Sequence, residues 1–373
     1  MKEFFKTLAS VVFLLAGYAC TEATISIAGS GDDGVDDTDK GVPLNVKNLG
    51  LSVEVESRSI VTGVPGGTSP NPNPLTEIGV CVTKTSSNGT VSMYAGGNNT
   101  QLFVYNTQAA PAVWELAEGE ESLLLYSERG TVYAYAPSDK SVSLSGTPKV
   151  PLMNAVKVSE KQKFYFNDGG TPVDVSADIQ WETDQDDYLY GTASGQVDRW
   201  QPEVSLTMRH ALSKVSFRIL EANGGSVFGG SSVKKVVLKS SGGFRKSAAA
   251  KLSLATGELS GTITAVDELS FTADGDMRTI GTDVSDADQV PVQAFGLVIP
   301  VTGISATLEL TLDDNRVFTM APAADGSPGA LTADWLKGNN YIYNIRMLPQ
   351  GIEIEDIEVA GWSDGGSTDV PVE

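Results

Sequence analysis

Apolar and polar residues alternate with a period of two along most of this chain, and the apolar positions are rich in β-branched and aromatic residues. This pattern is typical of half-buried β-strands. It recurs through both halves of the sequence, at residues 44–57, 76–84, 131–137, 203–220, 233–240, 305–322, 340–349 and 352–362. Clusters of Gly, Asn, Pro and Ser separate these runs at residues 63–74, 86–90 and 96–100. Short strands joined by such turns predict β-sandwiches or barrels.

The same pattern predicts the organisation of the chain. Residues 330–338 (ALTADWLKG) alone favour one helical turn, with Thr332 as its N-cap and Gly338 as its stop. Residues 313–317 (DDNRV) predict a hairpin turn. No short fixed repeat is present, which argues against a propeller or solenoid. A polar stretch near residues 186–202 separates two strand-rich halves, so the prediction is an amino-terminal domain at residues 44–200 and a carboxyl-terminal domain at residues 201–373.

The first nineteen residues have the features of a secretory signal peptide. Lys2 and Lys6 precede an apolar run at residues 8–15, which is too short to span a bilayer. Cys20 follows at once, at the position where bacterial lipoproteins carry their lipid. The alternative is ordinary cleavage after Ala19 without lipidation. We predict lipidation of Cys20, because the cysteine lies directly after the expected cut. The acidic and Gly-rich residues 20–43 support this prediction, since they have the composition of a flexible tether.

Charge and cysteine content narrow the class of protein further. The formal net charge of −21 gives a surface that repels nucleic acid and anionic membranes. With Cys20 lipidated, Cys81 is the single remaining thiol and cannot form an internal disulfide, so stability must come from the hydrophobic cores. Without lipidation, a bridge between Cys20 and Cys81 stays open. We predict that Cys81 is a buried residue of a strand.

Residues suited to catalysis are few. His210 is the only histidine, and a lone histidine on a strand indicates a hydrogen-bonded structural residue rather than a catalytic triad or a zinc site. We predict that most carboxylates are solvated turn residues. Most of the five tryptophans are predicted to be core residues. The sequence therefore predicts a protein that is not an enzyme and has no cofactor or metal. The acidic clusters are Asp186–Asp187, Asp313–Asp314 and Asp283, Asp286 and Asp288.

Several segments in order resemble the fimbrillin family, the subunits of Bacteroidetes type V pili. The most specific is residues 206–217 (LTMRHALSKVSF), which resembles the family's histidine-containing strand. The others, besides the leader with Cys20, are residues 57–59 (SRS), 77–80 (EIGV), 105–106 (YN) with Trp114, 132–137 (VYAYAP), 187–191 (DYLYG), 338–345 (GNNYIYNI) and 357–362 (IEVAGW). The series covers nearly the whole mature chain.

This resemblance implies an all-β fold, with two tandem transthyretin-like β-sandwich domains and Greek-key-type connections. It also implies export as a lipoprotein and cleavage by a trypsin-like protease after a basic residue that ends the first strand. Arg58 fits that site. The removable strand is predicted at residues 44–57, where Leu51, Val53 and Val55 alternate with polar residues. Ile352, Ile354, Ile357 and Val359 form either an internal strand or part of a donor strand that ends in the carboxyl-terminal tail.

The function that these expectations predict is a structural or adhesive subunit of a cell-surface pilus (fimbrium), working in cell adhesion or biofilm formation. Its partners are other pilin subunits joined by strand exchange, the outer membrane through a lipid anchor, the maturing protease, and a host or bacterial surface receptor. The predicted location is the outer membrane and cell surface. The alternatives are a glycan-binding surface lipoprotein, which needs an exposed aromatic platform, and a secreted hydrolase, which needs two facing carboxylates.

Overall fold

Every regular element among the described residues is a β-strand. The computed structural model describes residues 40–51, 65, 74–94, 100–166, 181–221, 228, 230–281, 290–322, 326–327, 329–349, 351–361 and 367–370, all within the compact unit Thr38–Glu373. The all-β prediction is therefore confirmed for these residues. In chain order the strands are β1 (Val42–Pro43), β2 (Asn45–Leu51), β3 (Glu77–Thr85), β4 (Val91–Met93), β5 (Thr100–Asn106), β6 (Val113–Leu116), β7 (Leu124–Leu125), β8 (Gly130–Ala136), β9 (Val142–Ser145), β10 (Val150–Val158), β11 (Lys161–Phe166), β12 (Trp181–Thr183), β13 (Leu189–Val197), β14 (Glu203–His210), β15 (Ser213–Glu221), β16 (Val233–Ser253), β17 (Leu259–Ala273), β18 (Ala294–Val298), β19 (Val301–Leu312), β20 (Val317–Thr319), β21 (Leu331–Trp335), β22 (Asn339–Leu348), β23 (Gly351–Gly361) and β24 (Ser367–Val370).

The first sheet has eight strands in the order β2-β14-β13-β8-β3-β5-β6, with β4 paired to β3. Its pairs are antiparallel except for β2, which runs parallel to β14. The sheet curls, so that β2 at one end of the order packs against β6 at the other. A separate two-stranded ladder joins β1 to β7. Strand β2 therefore closes the layer that encloses the first core.

Two further sheets enclose the second core. A nine-stranded sheet runs β12-β11-β17-β16-β10-β9, with β19 paired to β16, β20 and β21. A five-stranded sheet runs β18-β15-β22-β23-β24. Parallel pairs occur in both, between β11 and β17 and between β15 and β22. The side chains of these two sheets form one large aromatic and aliphatic core.

The two cores meet across the first sheet. In β3, Val80 and Val82 belong to the first core, while Cys81 between them belongs to the second. On the neighbouring strand β8, Tyr135 likewise belongs to the second core, while Ala134 and Ala136 on either side of it belong to the first. Because successive side chains of a strand point to opposite faces, one sheet can serve both cores. Cys81 is fully buried, as predicted from its strand.

The sheets do not change at the predicted domain boundary between residues 200 and 201. Strands β9 to β12 lie before that boundary but belong to the nine-stranded sheet, and β14 lies after it but pairs with β13 and β2 of the first sheet. The chain thus crosses between the sheets more than once. Register and pairing partner are long-range properties that a polar stretch does not encode. The division at residues 44–200 and 201–373 remains a prediction.

The helical turn predicted near Thr332 is wrong. Residues 331–335 form strand β21, which pairs antiparallel with β19. The side chain of Trp335 is fully buried and stacks on Phe244, with ring centroids 5.5 Å apart. Burial of a large aromatic ring outweighs a capping signal of about 1 kcal/mol. Gly338 does reverse the chain, with φ of 72°. In the described part of the chain, no helix is long and apolar enough to cross a membrane.

Candidate functional site

The first long strand, β2, lies at one end of the strand order of the first sheet and is held there by backbone pairing to β14. The register is parallel, with Asn45 opposite Glu203 and Leu51 opposite Met208. The amide of Asn45 donates to the carbonyl of Pro202 at 2.9 Å and begins the ladder. Strand β14 lies between β2 and β13. Removing β2 would therefore leave one whole edge of β14 without backbone partners.

The inner face of β2 plugs the first core. Leu44, just before the strand, is 6% exposed, Val46 is 1% exposed and Leu49 is 8% exposed. They lie with Leu206 and Met208 of β14 in one cluster. Each such side chain contributes about 1.5–3 kcal/mol when buried, so the three together contribute up to about 9 kcal/mol. This is the apolar surface that a replacement strand would have to cover.

A bulge at Lys47 sets which residues form the plug. Val46 faces Val204 and Asn48 faces Ser205, so Lys47 is one additional residue in β2. The strand bends there, and its buried positions move from Val46 to Leu49 instead of to residue 48. The outward face is polar, and the Lys47 ammonium lies 3.0 Å from the Glu203 carboxylate in an exposed ion pair.

The predicted site residues are only partly placed by the structure. Leu51 ends β2, is half-buried and packs against the first core. Val53, Val55, Arg58 and Cys20 lie outside the described residues. The main plug residues, Leu44, Val46 and Leu49, lie within the predicted strand but were not singled out, because the alternation was traced only from Leu51 towards Val55. The signal was present in the apolar spacing of residues 44, 46, 49 and 51, which a single bulge explains.

Strand β23 is the other candidate for exchange, and it is integrated in the five-stranded sheet. It pairs antiparallel with β22 from Gly351 to Gly361. Its Glu358 accepts from the Arg218 guanidinium of β15 at 2.5 Å and from the Asn344 amide at 2.6 Å, all buried. Buried charges held by partners on two other strands fix a register. Of the two alternatives left open for this segment, the described structure has the internal strand.

His210 forms a buried pair with Asp187 at the point where the chain passes from the first sheet to β15. The imidazole Nδ1 lies 2.9 Å from a carboxylate oxygen, and neither side chain is more than 1% exposed. The alternation of β14 buries Val204, Leu206 and Met208 on the same face as His210. His210 is thus hydrogen-bonded within the structure, in agreement with the structural role predicted for it.

The other groups suited to catalysis are engaged elsewhere. Burial raises the pKa of the Cys81 thiol to about 12, so it is protonated at neutral pH. An open cleft of about 350 Å³ is lined by Asp184, Asp186 and Asp187. Asp184 accepts the amide of Lys163 at 2.8 Å, and Asp186 lies 3.3 Å from the Lys140 ammonium. Asp184 and Asp186 thus each have a partner within the fold.

Of the remaining predicted clusters, Asp283, Asp286 and Asp288 lie outside the described residues, whereas Asp313 and Asp314 lie in a turn. Asp314, in the hairpin turn between β19 and β20, accepts from the backbone and side chain of Arg316. The Arg316 backbone amide is the main reason that the pKa of Asp314 is lowered. Among the described residues, no group of three or more possible metal ligands occurs. Trp114 and Trp335 are buried, and Trp200 is 67% exposed.

Comparison with known proteins gives one family and several structural likenesses. A family model described as Fimbrillin-like matches residues 71–362, a span that begins after β2. Among curated proteins, no sequence matches. The chain is similar to a fimbrial protein from Bacteroides vulgatus, with 16% identity over 86% of this chain and 99% of that one and a TM-score of 0.44. It is also similar to a fimbrial assembly protein from Parabacteroides distasonis (11% identity, 89% and 99% covered, TM-score 0.38) and to the tip fimbrial protein Mfa3 from Porphyromonas gingivalis (11%, 78% and 95%, TM-score 0.32).

Proposed function

Because the chain belongs to the fimbrillin-like family, we propose that it is a structural and adhesive subunit of a cell-surface pilus that assembles by β-strand exchange. The observation that carries this proposal is the position of β2, an edge strand whose apolar side chains plug the first core. The function assigned is mechanical, and it requires no catalytic group. Export as a lipoprotein through Cys20, at the outer membrane, is part of the same proposal.

Maturation would convert the edge strand into an empty site. In the proposal, a trypsin-like protease cuts after Arg58 and releases the segment that contains β2. The loss would expose the backbone edge of β14 from Glu203 to Met208 together with the apolar floor under Leu44, Val46 and Leu49. A strand from another pilin subunit supplies both sets of contacts at once, as in β-augmentation.

The proposed exchange sets requirements on the incoming strand. It has to place apolar side chains at the positions of Leu44, Val46 and Leu49, with one additional residue at the bulge near Lys47. Its outward side chains can be polar, since the outer face of β2 is exposed. Glu203 at the start of β14 favours a basic residue opposite it, as Lys47 provides. A strand of strict alternation would leave one of the apolar positions unfilled.

Limited trypsin digestion tests the maturation step. We expect cleavage of the purified mature protein after Arg58, with the remaining chain folded and forming oligomers on size-exclusion chromatography; intact mass identifies the site. The matched control is Arg58→Gln, which should stay uncut at this position and monomeric under the same conditions. Cut protein that remains a monomer with unchanged folding would contradict assembly by this route.

A glycan-binding surface protein is the second candidate, and one residue favours it. Trp200 stands on a turn in which Asp198 Oδ1 accepts from the amides of Trp200 and Gln201, each at 2.9 Å. The Arg199 guanidinium lies 5.5 Å from the indole centroid. An exposed indole on a fixed turn can stack on a sugar ring. Saturable binding to a glycan panel that is lost in Trp200→Ala would support this function, and no saturable binding would remove it.

A further inference from the structure

The residues just before β2 occupy a slot of their own. Strand β1 pairs antiparallel with β7, as a ladder separate from the first sheet. The amide of Leu44 then donates to the carbonyl of Leu123 at 2.9 Å, and the next amide, of Asn45, donates to Pro202. The chain thus changes partner between Leu44 and Asn45. The segment removed in the proposed maturation fills two sites in series, the edge of β7 and the edge of β14.

The β7 slot begins at a notch that accepts only glycine. A Cβ on Gly41 would lie 2.6 Å from the Cβ of Leu124, 3.2 Å from its Cδ1 and 3.1 Å from the Cζ of Tyr126. The closest of these atoms is the base of a side chain rather than its mobile end, so it cannot move without its backbone. Leu124 and Tyr126 are 39% and 38% exposed, so the notch opens to solvent. Residue 41 has no side chain because there is no space for one.

A second glycine of the same segment shows that this restriction is local. A Cβ on Gly50, near the end of β2, would meet only the carbonyl oxygen of Leu206, at 3.8 Å. That distance is an ordinary van der Waals contact. An alanine is therefore tolerated at residue 50 and excluded at residue 41, although both residues are in the same exchanged segment.

Building on the proposed strand exchange, we propose that the notch between Leu124 and Tyr126 selects the strand that replaces β2. The incoming segment must carry a glycine three residues before its first buried side chain, the position that Gly41 has relative to Leu44. Two residues that pair with β7 follow, and then the apolar plug. The partner that fits is an extended strand of another pilin subunit with this Gly-x-x-apolar start, and the slot acts as a specificity filter for subunit order.

The filter bears on this chain's own carboxyl-terminal residues. Residues 370–372 (VPV) repeat the Val-Pro-apolar order of residues 42–44 (VPL). The residue that precedes them is Asp369, where the amino-terminal segment has Gly41. In that register the notch would have to admit a carboxylate side chain. In this register, the proposed filter therefore excludes residues 369–372 of a second copy of this chain from the slot.

Peptide binding to the cut subunit tests the filter. Fluorescent peptides of residues 40–51 (KGVPLNVKNLGL) are prepared with the native sequence, with Gly41→Ala and with Gly50→Ala, and their affinity is measured by anisotropy against protein cut after Arg58. We expect Gly41→Ala to weaken binding at least tenfold and Gly50→Ala to change it less than twofold. Equal affinities for the two variants would overturn the inference.

The same two substitutions in the intact chain separate this inference from the proposed function. Amide hydrogen exchange should become faster at Leu44 and Leu125 in Gly41→Ala and stay unchanged in Gly50→Ala. If the cut subunit binds none of the peptides, the proposed strand exchange is contradicted. The hydrogen exchange of the intact chain then still tests whether the notch excludes a side chain at residue 41. If these amides exchange as slowly in Gly41→Ala as in the native chain, the notch does not select glycine, whatever the result with the cut protein.

Discussion

At the scale of single residues, the ring of Tyr135 occupies the space where residue 79 would have a side chain. A Cβ on Gly79 would lie 2.2 Å from the Cζ of Tyr135, on the face of β3 that serves the second core. Gly195 of β13 has no atom within 4 Å of the corresponding position. Glycine at residue 79 is thus a requirement of packing between β3 and β8.

Substitution of these two glycines should therefore have different effects. We expect Gly79→Ala to lower the free energy of unfolding by about 2–3 kcal/mol, because the ring must be displaced from a packed core. Gly195→Ala should change it by less than about 0.5 kcal/mol. Urea denaturation followed by circular dichroism measures both, and a Gly79→Ala effect no larger than that of Gly195→Ala would contradict the packing described.

Cys81 should make stability depend on pH in the alkaline range. Burial raises the pKa of its thiol from 9.0 to about 12. Below pH 9 the thiol is protonated in both states, and its burial contributes fully to stability. Above pH 9 the unfolded chain releases the proton and the folded chain does not, so stability is lost at about 1.4 kcal/mol per pH unit until the folded thiol ionises.

The measurement is the difference in unfolding free energy between the native chain and Cys81→Ala, under reducing conditions at pH 8, 10 and 11. The tyrosines that also titrate in this range are common to both proteins, so the difference isolates the thiol. We expect this difference in unfolding free energy to fall by about 1.4 kcal/mol for each pH unit above 9, at the expense of the native chain. A difference that stays constant from pH 8 to 11 would show that the thiol is not buried.

At the scale of elements, the inner side chains of β2 are buried, but its backbone pairs with only one neighbouring strand. Val46 is 1% exposed, whereas Asn48 two residues later is exposed. Because β2 pairs with a single neighbour, its inner side chains carry most of its binding to the sheet. The strand is therefore the part of the first sheet best suited to removal, and its hold on the core depends on a few side chains.

Truncation of these two residues tests that division. We expect Val46→Ala to lower the free energy of unfolding by about 2 kcal/mol through lost burial and a small cavity. Asn48→Ala should change it by less than about 0.5 kcal/mol. If chemical denaturation gives the two variants the same stability, β2 does not plug the core as the structure describes.

Element positions were largely predictable, and the failures have physical causes. The apolar pattern located β3, β8, β14 and β22, since β14 buries one face and both β3 and β8 face a core on each side. It did not reveal the bulge at Lys47, because the bulge follows from pairing to β14. It missed β21, where the burial of Trp335 determines the conformation. The sequence predicted that His210 is a hydrogen-bonded structural residue, but spacing alone could not identify Asp187 as its partner.

At the scale of the whole molecule, the chain uses its first sheet to serve two cores. One face of β3 and β8 lies in the first core, and Cys81 and Tyr135 reach the second. The strand order crosses between sheets at β9 and again at β13, which no local pattern in the sequence specifies. With β2 removed, the first core would be open on one side while the second keeps its two sheets. Under the proposed exchange, the second core would keep the subunit folded until a partner strand fills the first core.

Amide hydrogen exchange along β14 tests the central claim most directly. Residues 203–208 would be followed by mass spectrometry in the intact subunit, in the monomer freshly cut after Arg58, and in the assembled protein. We predict slow exchange in the intact subunit, at least tenfold faster exchange in the cut monomer, and slow exchange again after assembly. Exchange at residues 203–208 that is the same in all three states would mean that β2 is not the strand exchanged between subunits.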